Sequence, residues 1–571
     1  MQSGDGDGAT ITQRDSGQVS TVTQTGNFGV ANVTQGDALK AATNGSAGNL
    51  SDVYQAGTGL TTSDVLQTGT NAQSFITQLG ATASANIAQT GGNNAFSQVS
   101  QTGDNDSTGS SQTGSDHFST VRQSSNGNIV NLTQTGSANR SNVVQADGGL
   151  GSATADTASI TQSSSGNASD VTQLGLKNVA SVVQSGASNK STVTMLGTNE
   201  RASVTQSGSR NTSEWTMGQG SLNANLGTIA AVVQSGDDNK SVINQTGQRQ
   251  IPGDVNRSFS ARGFTAFGNE VRVVQLSSGS TSLINQGGTI NGAIVTQQSG
   301  PSVSEVDQIG TANVARVSLQ TRGRSLVDQR GDRNIANASA GSGLAAGTGQ
   351  STILQFGSDN QATYTDIAYD NVSLIEQAGN RNRATATTQG NGGDNTKILQ
   401  AGSDNVAQYR SGTGLVGQTS LIDQGGNRNT ADIQQGSSGV NSTVLQPGSG
   451  NSASVIQFGN TGGSSYVLQS GTGNTGSITQ GKPGEMSSLI QSGSTNRATV
   501  RQSGASETSL LTQSGDNNGA TITQSGVSDS SSVIQSGSTN TATVTQGADL
   551  NSSTITQAGT NGTVTVSQNA G

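Results

Sequence analysis

Glutamine recurs through this chain at a nearly fixed interval of eleven residues. From Gln424 to Gln568 there are fourteen such residues, and twelve of the thirteen steps between them are eleven residues long. Val, Ile or Leu stands two positions before each of the fourteen. At an apolar frequency of one in four, a random chain would show this agreement with a probability of roughly one in 10⁸. The pattern therefore indicates a repeat, not an irregular polar coil.

The full repeat is 22 residues long and has two unlike halves. The residue four positions before Gln alternates between Ser and Ala, and the Ala half carries Asn two positions before its Ala. At the same place the Ser half carries Glu485, Glu507, Asp529 or Asn551. We interpret residues 1–571 as one repeat array with irregular inserts, which are expected to be bulged arcs or loops. The inserts lie near residues 36–54, 146–161, 218–233, 246–274, 330–354 and 401–423.

Alternation within each half predicts a β-strand. The small residue, the branched apolar residue and Gln stand at positions i, i+2 and i+4, which share one face of a strand. The inward apolar residues of the last repeats are Val500, Leu511, Ile522, Val533, Val544 and Ile555. A Gly-containing turn follows each Gln, because Gly adopts backbone angles that strain other residues. These turn residues are Gly493, Gly504, Gly515, Gly526 and Gly537.

Two facing halves make one coil, and the chain is therefore predicted to be an all-β solenoid with two parallel, in-register sheets. Coils stacked about 4.8 Å apart place like residues above like, so inward amides can donate to one neighbouring coil and accept from the other. The predicted ladder residues are Gln491, Asn496, Gln502, Gln513, Asn518, Gln524, Gln535, Asn540, Gln546, Gln557 and Gln568. A single coil buries too little apolar surface to offset its conformational entropy, so stability must come from stacking.

Composition restricts the alternatives. Only 29% of residues are hydrophobic and 3% aromatic, which is too few for a conventional core. The low charged fraction of 11% and the four Pro residues argue against ordinary disorder. The net charge of −9 is spread thinly, so no nucleic-acid partner is expected. No apolar run approaches the roughly 20 residues that span a bilayer, so membrane insertion is not expected either. The start of the chain lacks the features of a signal peptide, and a mature form is expected.

Residues for catalysis or metal binding are scarce. The single His, His117, lacks a Cys or a second His to support it, and we expect it to be solvated at a strand edge. Asp5 and Asp7 are not followed by the Gly-Asp series of a calcium-binding repeat. Trp215 and the few Tyr residues form no regular stripe, so they are expected to be scattered packing or surface residues. We therefore predict no enzymatic activity, no catalytic residues, no metal and no cofactor.

The unit Gln491-x-Gly493-x-x-Asn496-x-Ala498-x-x-x-Gln502 resembles the repeat of the curlins, which are the subunits of curli. This resemblance extends over nearly the whole chain, although the chain has many more repeats than the familiar major subunit. It implies a left-handed solenoid, export through an outer-membrane pore and nucleated polymerisation outside a Gram-negative-type bacterium. It also implies a role in biofilm matrix and adhesion. The expected function is that of a secreted structural subunit that forms a homopolymer by end-to-end stacking.

Two other functions remain open at this stage. Outward Thr pairs such as Thr521 with Thr523, and Thr543 with Thr545, resemble the Thr ranks of ice-binding solenoids. A monomeric adhesin or surface stalk is the second alternative, with inserts near 246–274 and 330–354 as binding loops. Soluble solenoids usually cap their terminal coils, whereas here the repeat continues from Gln2 to Gln568. That difference favours self-assembly.

Overall fold

The structure is a computed structural model. It describes residues 1–14, 17–36, 48–146, 155–218, 227–246, 269–320, 322–341, 349–367, 370–389, 392–413, 415–459 and 461–569. In these ranges the chain forms β-strands joined by short arcs, and no helix is present. The described residues therefore contain no helix that is long and apolar enough to cross a membrane.

The first compact unit is Met1–Val295. Most of its strands are six or seven residues long, which matches the predicted strand half of each repeat. They are β1 (Gly8–Gln13), β2 (Val19–Gln24), β3 (Val30–Gln35), β4 (Leu50–Gln55), β5 (Thr62–Gln67), β6 (Gln73–Gln78), β7 (Ser84–Thr90), β8 (Phe96–Gln101), β9 (Ser107–Ser115), β10 (Phe118–Gln123), β11 (Ile129–Ser137), β12 (Arg140–Ala146), β13 (Thr157–Gln162), β14 (Ala168–Leu174), β15 (Val179–Gln184), β16 (Lys190–Met195), β17 (Arg201–Gln206), β18 (Thr212–Met217), β19 (Ile229–Gln234), β20 (Lys240–Thr246), β21 (Glu270–Gln275) and β22 (Thr281–Thr289).

The second compact unit is Thr296–Gly571, and β23 (Gly292–Gln297) crosses the boundary in sequence. The other strands of the second unit are β24 (Val303–Thr311), β25 (Val314–Leu319), β26 (Gly323–Arg330), β27 (Ile335–Ala340), β28 (Gly349–Phe356), β29 (Gln361–Asp366), β30 (Val372–Ala378), β31 (Arg383–Thr388), β32 (Asn395–Gln400), β33 (Val406–Ser411), β34 (Thr419–Gln424), β35 (Thr430–Gly436), β36 (Asn441–Leu445), β37 (Ser452–Phe458), β38 (Ser464–Gln469), β39 (Thr475–Gln480), β40 (Met486–Ser494), β41 (Arg497–Gln502), β42 (Thr508–Asp516), β43 (Gly519–Gln524), β44 (Ser530–Ser538), β45 (Thr541–Gln546), β46 (Ser552–Thr560) and β47 (Thr563–Gln568).

Strand pairing within each unit is parallel and in register. Odd-numbered strands pair with odd-numbered strands and even with even, so the chain alternates between two sheets. In β41 and β43, for example, Val500 is the partner of Ile522, and Gln502 is the partner of Gln524. Two strands and their arcs form one coil of about 22 residues. The predicted fold class, an all-β solenoid of two parallel sheets, is confirmed.

The core lies between the two sheets and is thin. In β41, Ala498, Val500 and Gln502 are buried, whereas the side chain of Arg501 is exposed. The inward apolar residues of neighbouring strands are equally buried; they are Leu511, Ile522, Val533, Val544 and Ile555. Larger aromatic side chains also point inward, among them Trp215 and Tyr364, each 1% exposed. Tyr364 has Ala338 and Ala386 as its partners in the adjacent coils, and these small residues leave space for the ring.

The predicted inserts coincide in part with regular strands. Each of the six windows includes residues of at least one strand, such as β33 and β34 in the window near 401–423. Parts of these windows, including 37–47, 147–154, 219–226, 247–268 and 342–348, lie outside the described residues. The prediction that they are bulged arcs or loops within one array stays a prediction.

Candidate functional site

Buried glutamines form hydrogen-bonded columns along both sheets. In the last coils, the amide donates through Nε2 to the Oε1 atom of the equivalent Gln in the next coil. In the even-numbered strands these bonds are Gln491 to Gln513 (2.8 Å), Gln513 to Gln535 (2.9 Å) and Gln535 to Gln557 (2.7 Å). In the odd-numbered strands they are Gln502 to Gln524 (3.0 Å), Gln524 to Gln546 (2.9 Å) and Gln546 to Gln568 (2.8 Å). Donation runs from lower to higher residue number in every pair.

The same Nε2 groups also tie the two sheets together. Gln502 donates to the backbone carbonyl of Met486 at 3.1 Å, and Gln513 donates to that of Arg497 at 3.1 Å. Each accepting residue begins the preceding strand, which belongs to the opposite sheet. The carbonyl and amino groups of these buried side chains are therefore satisfied, which offsets the cost of removing them from water. Gln consequently serves as a core residue in this fold.

The Asn column joins the backbones of successive coils. Asn518 accepts the backbone N–H of Asn540 at its Oδ1 atom (3.0 Å) and donates through Nδ2 to the carbonyl of Gly537 (3.0 Å). Asn496 makes the equivalent bonds to Asn518 and Gly515, at 3.0 and 2.7 Å. The predicted amide-to-amide contacts also occur, as between Asn518 Nδ2 and Asn496 Oδ1 at 3.1 Å. Asn is suited to this corner because it supplies an acceptor and a donor within one short side chain.

The predicted turn glycines fall into two groups. Gly493, Gly515 and Gly537 have φ values of 95°, 97° and 98°, in the region that favours Gly. Gly504 and Gly526 are outside that region, so the predicted reason for Gly is wrong at these two positions. A Cβ atom on Gly504 would overlap the carbonyl oxygen of Gly526 in the next coil. Close approach of the stacked backbones is what requires Gly there.

A family model described as curlin associated repeat matches the chain at residues 177–208, 421–459 and 515–547. The chain is a curlin-like repeat protein. The third match contains Asn518, Gln524, Asn540 and Gln546, so the matched repeat includes both the Gln column and the Asn column. Most of the chain lies outside these three matches. A search of curated proteins found no match.

One residue of this curlin-like protein departs clearly from its sequence-based prediction. His117 is 1% exposed, so the prediction of a solvated His is wrong. It stands two positions before the inward Ser119, which is the offset that Asn has elsewhere, and its Nε2 atom lies 3.1 Å from the carbonyl oxygen of Thr113. Burial lowers the pKa of His117 below its usual value of 6.5. The shared offset was the sequence signal that could have located it in the core.

Buried acids occupy the same corner in the Ser half of the curlin-like repeat. The exposed fractions of Glu485, Glu507 and Asp529 are 0%, 0% and 1%. The backbone N–H of Lys482 donates to Glu485 Oε2 at 3.0 Å, and that of Asn551 donates to Asp529 Oδ1 at 2.9 Å. Burial raises the pKa of Glu485 to about 8 and that of Glu507 to about 7. These carboxyl groups cap corners, and none was predicted as a ladder residue.

The outward Thr residues form short columns on the opposite side of the strand. Thr499, Thr521, Thr543 and Thr565 are in register in β41 to β47, but Arg501 interrupts the neighbouring column. In the part of the chain that the structure describes, no group of three or more His, Asp or Glu residues could hold a metal ion. The Gln and Asn columns, unlike the Thr columns, lie on the buried side of the strands.

Proposed function

We propose that this protein is a structural subunit that self-assembles into extracellular, curli-like amyloid fibres. The observation that carries the proposal is the directional ladder of buried Gln amides between parallel, in-register coils. The same hydrogen bonds that join coils within a chain can join coils of two chains, because stacking requires only another strand pair at the same spacing. Assembly would thus repeat the internal contacts of the fold.

The edge strands support this mode of growth. All side chains of β47 are exposed or half-buried, whereas those of internal strands alternate between buried and outward-facing. Gln568 Nε2 donates to the carbonyl of Ser552 at 3.1 Å and keeps a second hydrogen that could continue the column. In β1, Gln13 donates onward to Gln35 at 2.8 Å, in the same direction as the other Gln pairs. Because every Gln pair donates in the same direction, a second chain added to the column would continue it head to tail.

Cellular location and partners are proposed by similarity to the curlins. We propose secretion to the surface of a Gram-negative-type bacterium through an outer-membrane pore, with a nucleator subunit that starts polymerisation. Fibres of this kind would contribute to biofilm matrix and adhesion. A structural role suits the fold, because its repeated polar corners offer extensive stacking contacts.

A seeded-assembly experiment tests the proposal. Freshly desalted full-length chain is followed at neutral pH by thioflavin fluorescence and negative-stain electron microscopy, with and without preformed seeds. The variant Val500→Asp with Val544→Asp places two charges between the sheets, and we expect it to abolish seeded growth. The matched control, Thr499→Asp with Thr543→Asp, places the same charges one position earlier on the outward face. We expect this control to form fibres.

The outcomes are distinct. Unbranched fibres that seed fresh chain, lost only in the inward variant, support the proposal. A folded wild-type chain that stays monomeric with seeds would reject it in favour of an adhesin or an ice-binding surface. Equal growth of both variants would reject the assignment of the inward face.

A further inference from the structure

The unit Thr296–Gly571 has one outer face with an unusual run of large apolar side chains. From β26 to β44, every even-numbered strand carries an outward Leu or Ile, three positions or one position before its Gln column. These residues, which we call the apolar stripe, are Leu326, Leu354, Leu374, Leu399, Leu421, Leu445, Leu468, Ile490, Leu510 and Ile534. They are half-buried or exposed, and Leu510 and Ile534 are each 39% exposed.

Strand register makes the stripe continuous. Leu445 is the direct partner of Leu468, and Leu468 is the direct partner of Ile490. In the other strands the apolar residue shifts between two adjacent outward columns, so Leu421 lies diagonal to Leu445. Diagonal neighbours on one face of a sheet are still within reach of long side chains. The ten residues therefore form one zigzag surface.

Charge divides the stripe into two parts. Alongside it, β26 to β34 carry Asp328, Glu376, Lys397 and Asp423 in the same two columns. In β36 to β44 these columns hold only uncharged residues, with Thr443, Tyr466, Ser488, Thr512 and Ser532 beside the Leu and Ile residues. Depletion of charged residues is typical of the core of a protein interface.

The outer face of the odd-numbered strands in the same unit provides an internal comparison. At the equivalent columns, β41 to β45 carry Thr499, Thr521, Thr543 and Arg501, and no Leu or Ile. The two faces therefore differ in chemistry although they share backbone geometry and spacing. Fold alone does not account for the apolar stripe, because inward residues already supply the core.

We propose that the apolar stripe is a lateral self-association surface on which a second copy of this chain packs through its own stripe. A sheet face is complementary to another such face, and two faces can pack about 10 Å apart with interdigitated side chains. Five strands about 4.8 Å apart and about 20 Å long present about 480 Å² per copy, so the charge-free part buries about 1,000 Å² in total. That area reaches the lower limit for a specific interface, and the flanking strands of the stripe extend it into the standard range.

This contact is distinct from end-to-end stacking. It uses outward side chains and leaves the edge strands free, so it goes beyond the proposed function and does not depend on it. Two filaments joined in this way would form a paired fibre, and two separate chains would form a dimer. The isologous arrangement places the same patch on both copies, which limits assembly at this face to pairs.

Sedimentation velocity of freshly desalted full-length chain, over a range of concentrations, tests the proposal. The variant Leu468→Lys with Ile490→Lys places two cations within the charge-free part of the stripe. The control, Thr521→Lys with Thr543→Lys, places two cations on the opposite face. We expect a wild-type monomer–dimer equilibrium, an apparent Kd more than about tenfold weaker in the stripe variant, and no change in the control. A milder variant, Leu468→Thr with Ile490→Thr, keeps strand-forming residues and should also weaken the dimer while preserving the far-ultraviolet circular dichroism of the wild type.

Several results would overturn the proposal. They are a wild-type chain that is monomeric throughout the concentration range, equal dimerisation of the stripe and control variants, or a monomer that instead binds phosphatidylcholine vesicles through the stripe. Electron microscopy of fibres separates the two proposals. Single, unpaired filaments would reject lateral pairing and retain end-to-end assembly, whereas dimers without any fibres would retain lateral pairing alone.

Discussion

Glu507 lies directly beyond Glu485 at the equivalent corner of the next coil, and both side chains are fully buried. The backbone carbonyl of Glu507 accepts a hydrogen bond of 2.8 Å from the N–H of Met486, which fixes this stacking. Asp529 follows at the corner of the next coil, and its negative charge raises the pKa of Glu507 further. The positive charge of Lys482 acts in the opposite direction and lowers the pKa of Glu485. The Ser half of the repeat therefore has three acids in succession at this corner. The Ala half has neutral Asn at the equivalent corner.

We expect the stability of this acidic corner to fall as the pH rises. Burial raises the pKa of Glu485 to about 8 and that of Glu507 to about 7, from a usual value of 4.5. Between these values the folded chain binds more protons than the unfolded chain, so the stabilisation is complete below about pH 4.5 and is lost as the pH passes about 7 to 8. Hydrogen–deuterium exchange of peptides from residues 480–530, corrected for the intrinsic effect of pH, should show faster opening in alkaline buffer.

The matched variant for this prediction is Glu485→Gln with Glu507→Gln. Gln keeps the size of Glu but cannot ionise, so the exchange rates of the same peptides should become independent of pH. If the wild-type chain and the double variant respond equally to pH, the acids are not the cause.

The variant His117→Asn should stabilise the first unit and remove the loss of stability that protonation of His117 causes in acid. Burial lowers the pKa of His117, so the folded chain binds fewer protons than the unfolded chain, and stability is lost as the pH falls below about 6.5. Asn at this corner offers the donor and acceptor that its counterparts use, with a gain of about 1 kcal/mol. Exchange protection of residues 107–123 should rise, most of all in acid. Unchanged protection at every pH would contradict the shared role of the two residues.

The variant Gly504→Ala should destabilise the second unit although the backbone at Gly504 is outside the left-handed region. The added methyl group would overlap the carbonyl of Gly526, and forced repacking of this kind costs about 1–3 kcal/mol. Gly481→Ala is the control, because the nearest atom to its Cβ would be the carbonyl oxygen of Gln502 at 3.6 Å. Denaturant midpoints should fall for the first variant only. Equal midpoints would show that the coils can separate locally at little cost.

The variant Asn518→Ala should loosen two coils at once. It removes the acceptor for the N–H of Asn540 and the donor to the carbonyl of Gly537, and each orphaned buried group costs about 1–3 kcal/mol. Amide exchange should accelerate at Asn540 and its neighbours. Thr521→Ala, on the outward face three residues away, should leave those rates nearly unchanged. Equal protection in the two variants would mean that water replaces the Asn side chain without loss.

Much of the fold could be predicted because the repeat specifies every strand many times over. A period of two within each half sets which face is inward, and a slip by one residue would turn Val500 and Gln502 out to solvent. The 22-residue repeat then sets the register, as in the pairing of Gln502 with Gln524. The same inward face and the same register are therefore specified at each coil, and the local strand preference agrees with the overall fold.

Features that depend on the distance between coils could not be predicted in the same way. The requirement for Gly at position 504 comes from the backbone of Gly526, which is 22 residues away in sequence. The shared offset indicates which residues stand at the corners, but the pKa shifts of His117 and Glu485 arise from burial in a corner that closes only when arcs stack. The apolar stripe was missed because its Leu and Ile residues change column from strand to strand and become continuous only on a sheet surface.

The sequence by itself determined the strand positions, the inward face and the coil length, because hydrophobic alternation and a fixed Gln interval are local and repeated. The tertiary structure decided what each polar side chain bonds to. Neighbouring coils within hydrogen-bonding distance allow the Gln amides to bond to one another and the Asn side chains to bond to the backbone of the next coil. They also bury the acids at the corners, where backbone N–H groups donate to them. The physical reason is that burial, hydrogen-bond satisfaction and pKa depend on atoms from other coils, which a repeat period positions but does not describe.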